Sequence, residues 1–237
     1  MLEKNLVFNR KEFKLDLYEF ERLPRVEVDG VRYYTNGEEA FKYPSVTTVL
    51  DKMSDKTHLV EWRKRVGEEE ATRISSFAST RGTAIHTMCE NYVIGEDVDL
   101  SMPHNALMFK QIQRVLDSKV DHVIASESTL VSHKLKVAGT TDLIAEYDGK
   151  LSVIDYKTST KRKRKDWIEN YLLQSAMYSF MLWEMSGLMA KQIVIIIACD
   201  DSDEAQVFVE SPSNYIEKAR DICEQYHRKY HAEYVLG

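Results

Sequence analysis

From Gly139 to Ser159 the chain reads GTTDLIAEYDGKLSVIDYKTS, two half-apolar runs on either side of Asp148-Gly149. That dipeptide predicts a two-residue hairpin turn, because both of its central positions need positive φ. With the loop at Asp148-Gly149, Tyr147 pairs with Lys150 and Asp142 falls directly opposite Asp155. Residues 120–131 make a further strand-like run, which carries Glu127 among apolar and small residues. The continuous apolar stretch QIVIIIAC at 192–199 predicts a strand buried on both faces. Residues 205–210 predict one more short strand.

Helical spacing accounts for most of the rest. Pro44-Ser45 opens a short helix over VTTVLDKM, with Ser45 as the N-cap. Residues 57–94 predict two helical pieces, the second running from about Gly67 to Val93 and containing RGTAIHTMCE. His86 and Glu90 are four apart and share one face there. Helices are also predicted over 103–119, 166–189 and 213–232. Residues 1–23 predict an amphipathic arm, helical or partly extended. Asp29-Gly30 and Asn36-Gly37 mark turns of a small antiparallel hairpin over 25–43. This order of elements predicts an α/β fold, a central sheet flanked by helices. We divide the chain into an arm and hairpin (1–42) and a single domain (43–237). In that domain a helical part (43–119) precedes a sheet core (120–210) and a terminal helix (211–237).

Composition narrows the partners. The 237 residues are 43% hydrophobic and 30% charged, enough for one sizeable core. A net charge of −6 means that a nucleic-acid surface would have to concentrate its positive charge locally. The run Lys161-Arg162-Lys163-Arg164-Lys165 does so, directly after the hairpin. Such a run reads as a solvated loop or as a phosphate-contacting one. The three cysteines are far apart and form no CxxC pair, so neither a disulfide framework nor a zinc or iron–sulfur site is indicated. No apolar run suits a membrane span, and the first residues resemble neither a signal nor a transit peptide. A cytoplasmic location is expected, the host cytoplasm if the chain is phage-encoded.

The candidate chemistry lies on the hairpin. Asp-x-Lys or Glu-x-Lys occurs four times, but only Asp155-Tyr156-Lys157 lies on a strand-like run with a second aspartate opposite. Lys157 shares a face with Asp155. Two carboxylates that close repel unless something positive lies between them. Two carboxylates and an ammonium on one surface are the minimum kit for a divalent metal and a positioned water. His86 alone reads equally as an ordinary structural histidine. Glu127 reads as a partner of the metal site or as the solvent side of a strand.

Taken together, RGTAIH with His86, GTTDLIAEY with Asp142, VIDYKTS with Asp155 and Lys157, and Gln174-x-x-x-Tyr178 resemble the PD-(D/E)xK nucleases, specifically the RecB-like branch. The resemblance covers roughly residues 43–200. Ile154 stands where the family name has proline. The resemblance implies a restriction-endonuclease-like core, a mixed sheet flanked by helices with a helical N-terminal elaboration. It also implies a metal-dependent DNA nuclease, and an exonuclease on single-stranded ends or flaps. Asp142, Asp155 and the Tyr156 backbone carbonyl would bind Mg²⁺ or Mn²⁺. His86 would be a further ligand, and Glu90 or Glu127 would serve a second metal or orient water. Lys157 would position the attacking water, while Gln174 and Tyr178 would orient the phosphate. Thr158, Ser159, the basic run from Lys161 to Lys165, Trp167 and Arg81 would contact DNA. The cysteines that hold an iron–sulfur cluster in some relatives are absent, so no cluster is expected.

Asp155→Asn is expected to abolish cleavage of DNA and weaken metal binding. Lys157→Ala is expected to abolish cleavage with metal binding largely kept. Cleavage assays and calorimetric metal titration check both. Wild-type cutting by Lys157→Ala would remove the role given to that lysine.

Overall fold

The turn that organises the sequence forms as its residues require. Asp148 and Gly149 take φ of 49° and 70° in the computed structural model of the chain, which describes residues 10–18, 20–36 and 41–231. Ahead of that turn the described chain builds β1 (Lys14–Leu15), β2 (Arg25–Val28), β3 (Val31–Thr35), β4 (Lys42–Pro44), α1 (Val46–Met53), α2 (Thr57–Val66), α3 (Glu68–Ile94) and α4 (Pro103–Lys119). Strands β5 (Val120–Ser132), β6 (Val137–Tyr147) and β7 (Lys150–Ser159) follow. The chain closes with α5 (Glu169–Ser186), β8 (Gln192–Cys199), β9 (Gln206–Glu210) and α6 (Ile216–Tyr230).

The main sheet has the order β1-β5-β6-β7-β8-β9 and is mixed. β5, β6 and β7 form an antiparallel meander, β8 pairs parallel to β7, and β9 is antiparallel to β8. The parallel pair needs a crossover, and α5 supplies it. One face packs on α1, α5 and α6 through residues such as Val49, Ile144, Val153, Met177 and Cys223. The other packs on α3 and α4 through Ile85, Phe109, Ile112, Leu143, Ile154 and Tyr156. β8 lies between both layers and every one of its residues is buried. Ile193, Ile195 and Ile197 point one way, while Val194, Ile196 and Ala198 point the other. This double burial is why its sequence shows no alternation.

β2, β3 and β4 form a three-stranded sheet of their own, with β2 and β3 joined by a turn at Asp29-Gly30. Tyr34 and Tyr43 anchor it by burial against Val131 and Ala138 of the main sheet. Gly37 of the second predicted turn lies outside the described residues. The arm is extended rather than helical from Arg10 to Tyr18. Its strand β1 pairs parallel with His122 and Val123 at the edge of β5. Ser45 caps α1 as expected, its Oγ accepting from the Thr48 N–H at 3.1 Å. The helix predicted over 166–189 is shorter. A 3₁₀ turn at Lys165–Trp167 precedes α5, and Gly187, at φ 75°, ends it after Ser186.

Both strands that flank the site change the phase of their alternation. Ala125 and Leu130 of β5, one odd and one even, enter the same core. So do Val137 and Ile144 of β6. On β5 the reversal falls at Glu127, whose φ is 44°. A non-glycine residue there carries backbone strain. On β6 the stretch includes Gly139, where a Cβ would lie 2.7 Å from both Cε1 and Oη of Tyr178. The Tyr178 ring is buried and cannot swing away freely.

Two substitutions test this geometry by urea unfolding of the metal-free protein. Gly139→Ala is expected to cost about 1–3 kcal/mol through overpacking. Glu127→Gly is expected to be more stable than Glu127→Ala by about 0.5–1 kcal/mol, the reverse of the order at ordinary strand positions. Equal stability of the two would show that the positive φ carries no strain.

Candidate active site

The β6–β7 ladder runs from Tyr147↔Lys150 to Leu143↔Ile154 and stops there. One residue further on, where Asp142 faces Asp155, side chains take over from the backbone. Asp142 Oδ2 accepts the Tyr156 backbone N–H at 2.7 Å. On its other side Asp142 faces Glu127, which lies between the pairs Ser126↔Leu143 and Ser128↔Thr141. Three adjacent strands thus deliver Glu127, Asp142 and Asp155 to one level of the sheet.

Helix α3 brings His86 to the same level. Its Nδ1 lies 3.3 Å from Asp142 Oδ1 and 3.9 Å from Glu127 Oε1. Ligand atoms of His86, Glu127 and Asp142 all lie within 4.8 Å of one another. Burial alone would lower the His86 pKa, but hydrogen bonds and attraction from Asp142 and Glu127 outweigh it and push it up to about 10. Burial would likewise raise Asp142, yet His86, Lys157 and the Tyr156 N–H hold it below the usual carboxylate range. Without an added ion, the imidazolium supplies the positive charge that this pair of carboxylates needs. An imidazole nitrogen and carboxylate oxygens are both ligands of divalent cations. The donor set therefore fits a divalent metal.

Asp155 stands beside this cluster with both oxygens engaged. Oδ2 meets the Lys157 ammonium at 2.5 Å and Oδ1 accepts from Gln174 Nε2 at 3.1 Å. Burial and the neighbouring Asp142 raise its pKa, against the pull of Lys157, to about 6. Burial would lower Lys157, but Asp155 and Asp142 together raise it, so it stays an ammonium. Its Nζ also lies 5.1 Å from the Tyr171 ring centre. Tyr178, one turn beyond Gln174 on α5, packs against Gly139. Glu90, one turn beyond His86, is half-buried, and burial followed by the Glu127 charge raises its pKa. It lies outside the three-residue cluster.

The residues expected to meet DNA divide into two sets. In the basic run, Lys163 is tied through its backbone to the Gln206 side chain. Arg162 reaches Ser202, Arg164 pairs with Asp166, and Lys165 pairs with Glu210 at 2.5 Å. Lys161, Arg162, Arg164, Lys165 and Trp167 are all exposed. Thr158 is half-buried, whereas Ser159 is buried and donates to the Lys161 carbonyl. Arg81 is buried and held by Asp200 at 2.9 Å, which also meets His104.

The cleft over the cluster has a volume of about 290 Å³. Besides His86, Asp142, Lys157, Gln174 and Tyr178, its walls include Arg25, Arg32, Tyr34, Ser45, Thr47 and Thr140. Sequence reasoning missed this second group. The hairpin over 25–43 was legible, but nothing local says which surface it packs on.

Comparison with known proteins places this geometry. The family model of the PD-(D/E)XK nuclease superfamily matches residues 102–235. Mitochondrial genome maintenance exonuclease 1 of Homo sapiens is 32% identical over 130 residues, 51% of this chain and 38% of that protein. The protein of the same name from Xenopus tropicalis is 27% identical over 169 residues, 65% of this chain and 46% of its own. The chain thus spans less than half the length of these relatives. A solved structure of an exonuclease candidate from Eubacterium rectale has a TM-score of 0.44 and 11% identity, covering 63% of this chain and 65% of its own. By the family match over more than half of its length, the chain belongs to the PD-(D/E)XK nuclease superfamily.

Proposed function

We propose that this protein is a metal-dependent deoxyribonuclease that degrades single-stranded DNA from its ends. The observation that carries the reading is the meeting of His86, Glu127 and Asp142 beside the Asp155–Lys157 pair, with His86, Asp142 and Lys157 lining one cleft. The same combination accounts for a sequence that is acidic overall and basic just past β7.

His86, Glu127 and Asp142 would hold a Mg²⁺ or Mn²⁺ ion, with Asp155 and the Tyr156 carbonyl as further oxygen donors. When bound, the ion supplies Lewis-acid polarisation of the phosphate and lowers the pKa of a water. The remaining work falls to the chain. Tyr156 holds Asp142 in place through its N–H. Gln174 orients Asp155, and Asp155 in turn orients Lys157. The Lys157 ammonium, kept charged by two carboxylates, positions the attacking water and stabilises the negative charge that grows on the scissile phosphate. Tyr178 and Gln174 shape the α5 wall against which the nucleotide lies. The exposed cations of the basic run and Trp167 guide the strand after β7.

Action on ends is supported by the shape of the N-terminal helices. α2 buries none of its residues, and α3 from Glu68 to Thr80 buries only Ala71. Leu59, Val60, Ile74 and Phe77 are exposed along this pair. α2 and the first half of α3 thus bury almost nothing, and the cluster residue His86 lies further along α3. A strand passing beneath them would have to enter by its end.

The test is a time course on end-labelled linear and covalently circular single-stranded DNA, with Mg²⁺, Mn²⁺ or EDTA, for wild type and Lys157→Ala. Loss of linear DNA alone, dependent on metal and on Lys157, is expected. Cutting of the circle would replace the end-dependent reading with an endonuclease. Absence of any Lys157-dependent cleavage would leave a binding module.

A further inference from the structure

Two arginines of the small N-terminal sheet reach the same cleft. Arg25 lies on β2 opposite Tyr34 of β3, and Arg32 lies two residues before Tyr34. They are diagonal neighbours on one face, within reach of a common ligand. Both are exposed, both line the cleft, and among the described residues neither makes an ion pair or a side-chain hydrogen bond. This sets them apart from Lys157 and Arg81, whose charges Asp155 and Asp200 take up. Glu27, the register partner of Arg32, shares their face but does not line the cleft.

Hydroxyl groups line the same cleft. Thr47 and Thr140 are among them, Tyr34 Oη lies 3.2 Å from Thr140 Oγ1, and Ser45 spends its own Oγ on Thr48. The mount is rigid: Tyr34 is buried, and the Arg32 carbonyl accepts the Ser45 N–H at 2.8 Å. Two planar guanidinium forks with flanking hydroxyls match tetrahedral oxyanions. A carboxylate ligand would meet Asp142 across the cleft without the hydroxyl fit.

We propose that Arg25 and Arg32 form a phosphate-binding subsite that holds the substrate strand one or more nucleotides away from the phosphate being cut. This rests on the nuclease reading of the cleft. The subsite binds a phosphodiester or a terminal phosphate through the same chemistry, and it makes the N-terminal sheet part of substrate recognition.

The test measures binding rather than turnover. Full-length Lys157→Ala protein in EDTA is titrated against an internally labelled single-stranded oligonucleotide over a series of salt concentrations, by fluorescence anisotropy. Versions of the oligonucleotide end in hydroxyl or in phosphate. Adding Arg25→Ala and Arg32→Ala is expected to weaken binding about tenfold or more and to reduce the slope of log affinity against log salt by about 0.7 per lost contact. Arg→Lys at both positions is expected to restore most of the slope, which a structural defect would not allow. Equal loss on all oligonucleotides assigns the subsite to a backbone phosphate. Loss confined to a phosphorylated end assigns it to that terminus. Unchanged affinity and slope would overturn the proposal while leaving the nuclease reading intact. Failure of the Lys157→Ala parent to bind single-stranded DNA would overturn the reading on which it rests.

Discussion

Three carboxylates on neighbouring strands cannot share one buried level of a sheet without positive charge among them. Glu127, Asp142 and Asp155 impose that constraint, and the fold answers it from two sides. α3 presses the His86 imidazolium against Asp142 and Glu127. β7 itself folds the Lys157 ammonium back onto Asp155. The ends of the β6–β7 ladder, the Asp142 bond to the Tyr156 amide and the Gln174 bond to Asp155 all follow from the same need. Such an arrangement costs stability in its own right, since each buried ion is taken out of water. The same donor set fits a doubly charged cation.

The two halves of the charge system differ in kind. His86 can give up its proton, so its place can be taken by a harder cation without leaving a charge unpaired. Lys157 keeps its proton, because two carboxylates hold it in the charged form. One half is therefore exchangeable and the other permanent. That division suits the metal-dependent cleavage proposed above.

Much of this was legible along the chain, for a physical reason. Asp148-Gly149 fixes a turn, the turn fixes a register, and the register places Asp142 against Asp155 without reference to anything distant. Ser45 as a cap and the buried run at 192–199 are similarly local. The parts that were not legible depend on contacts far apart in sequence. The phase reversal at Glu127 uses a conformation that a glutamate rarely adopts, so simple alternation could not decide which side it faces. Arg81, for which the resemblance implies a DNA contact, pairs with Asp200, 119 residues later, which no local pattern announces. Nothing local in the hairpin sequence marks Arg25 and Arg32, and only the docking of Tyr34 and Tyr43 brings them to the cleft.

The N-terminal arm has a consequence of a different sort. β5 is thirteen residues long, and among the described residues its outer side pairs with β1 alone. The arm covers the start of that side with β1 and with N–H groups of Asp16 and Tyr18 donated to Val123 and Ile124. It is clamped there by Arg10 on the last carbonyls of α3 and by Lys11 on the Asp117 and Val120 carbonyls. A bare edge of that kind is a template on which a strand of another molecule can pair. By filling the start of it from its own chain, the arm leaves less of that edge open to pairing, and a segment remote from the chemistry becomes part of the finish of the sheet.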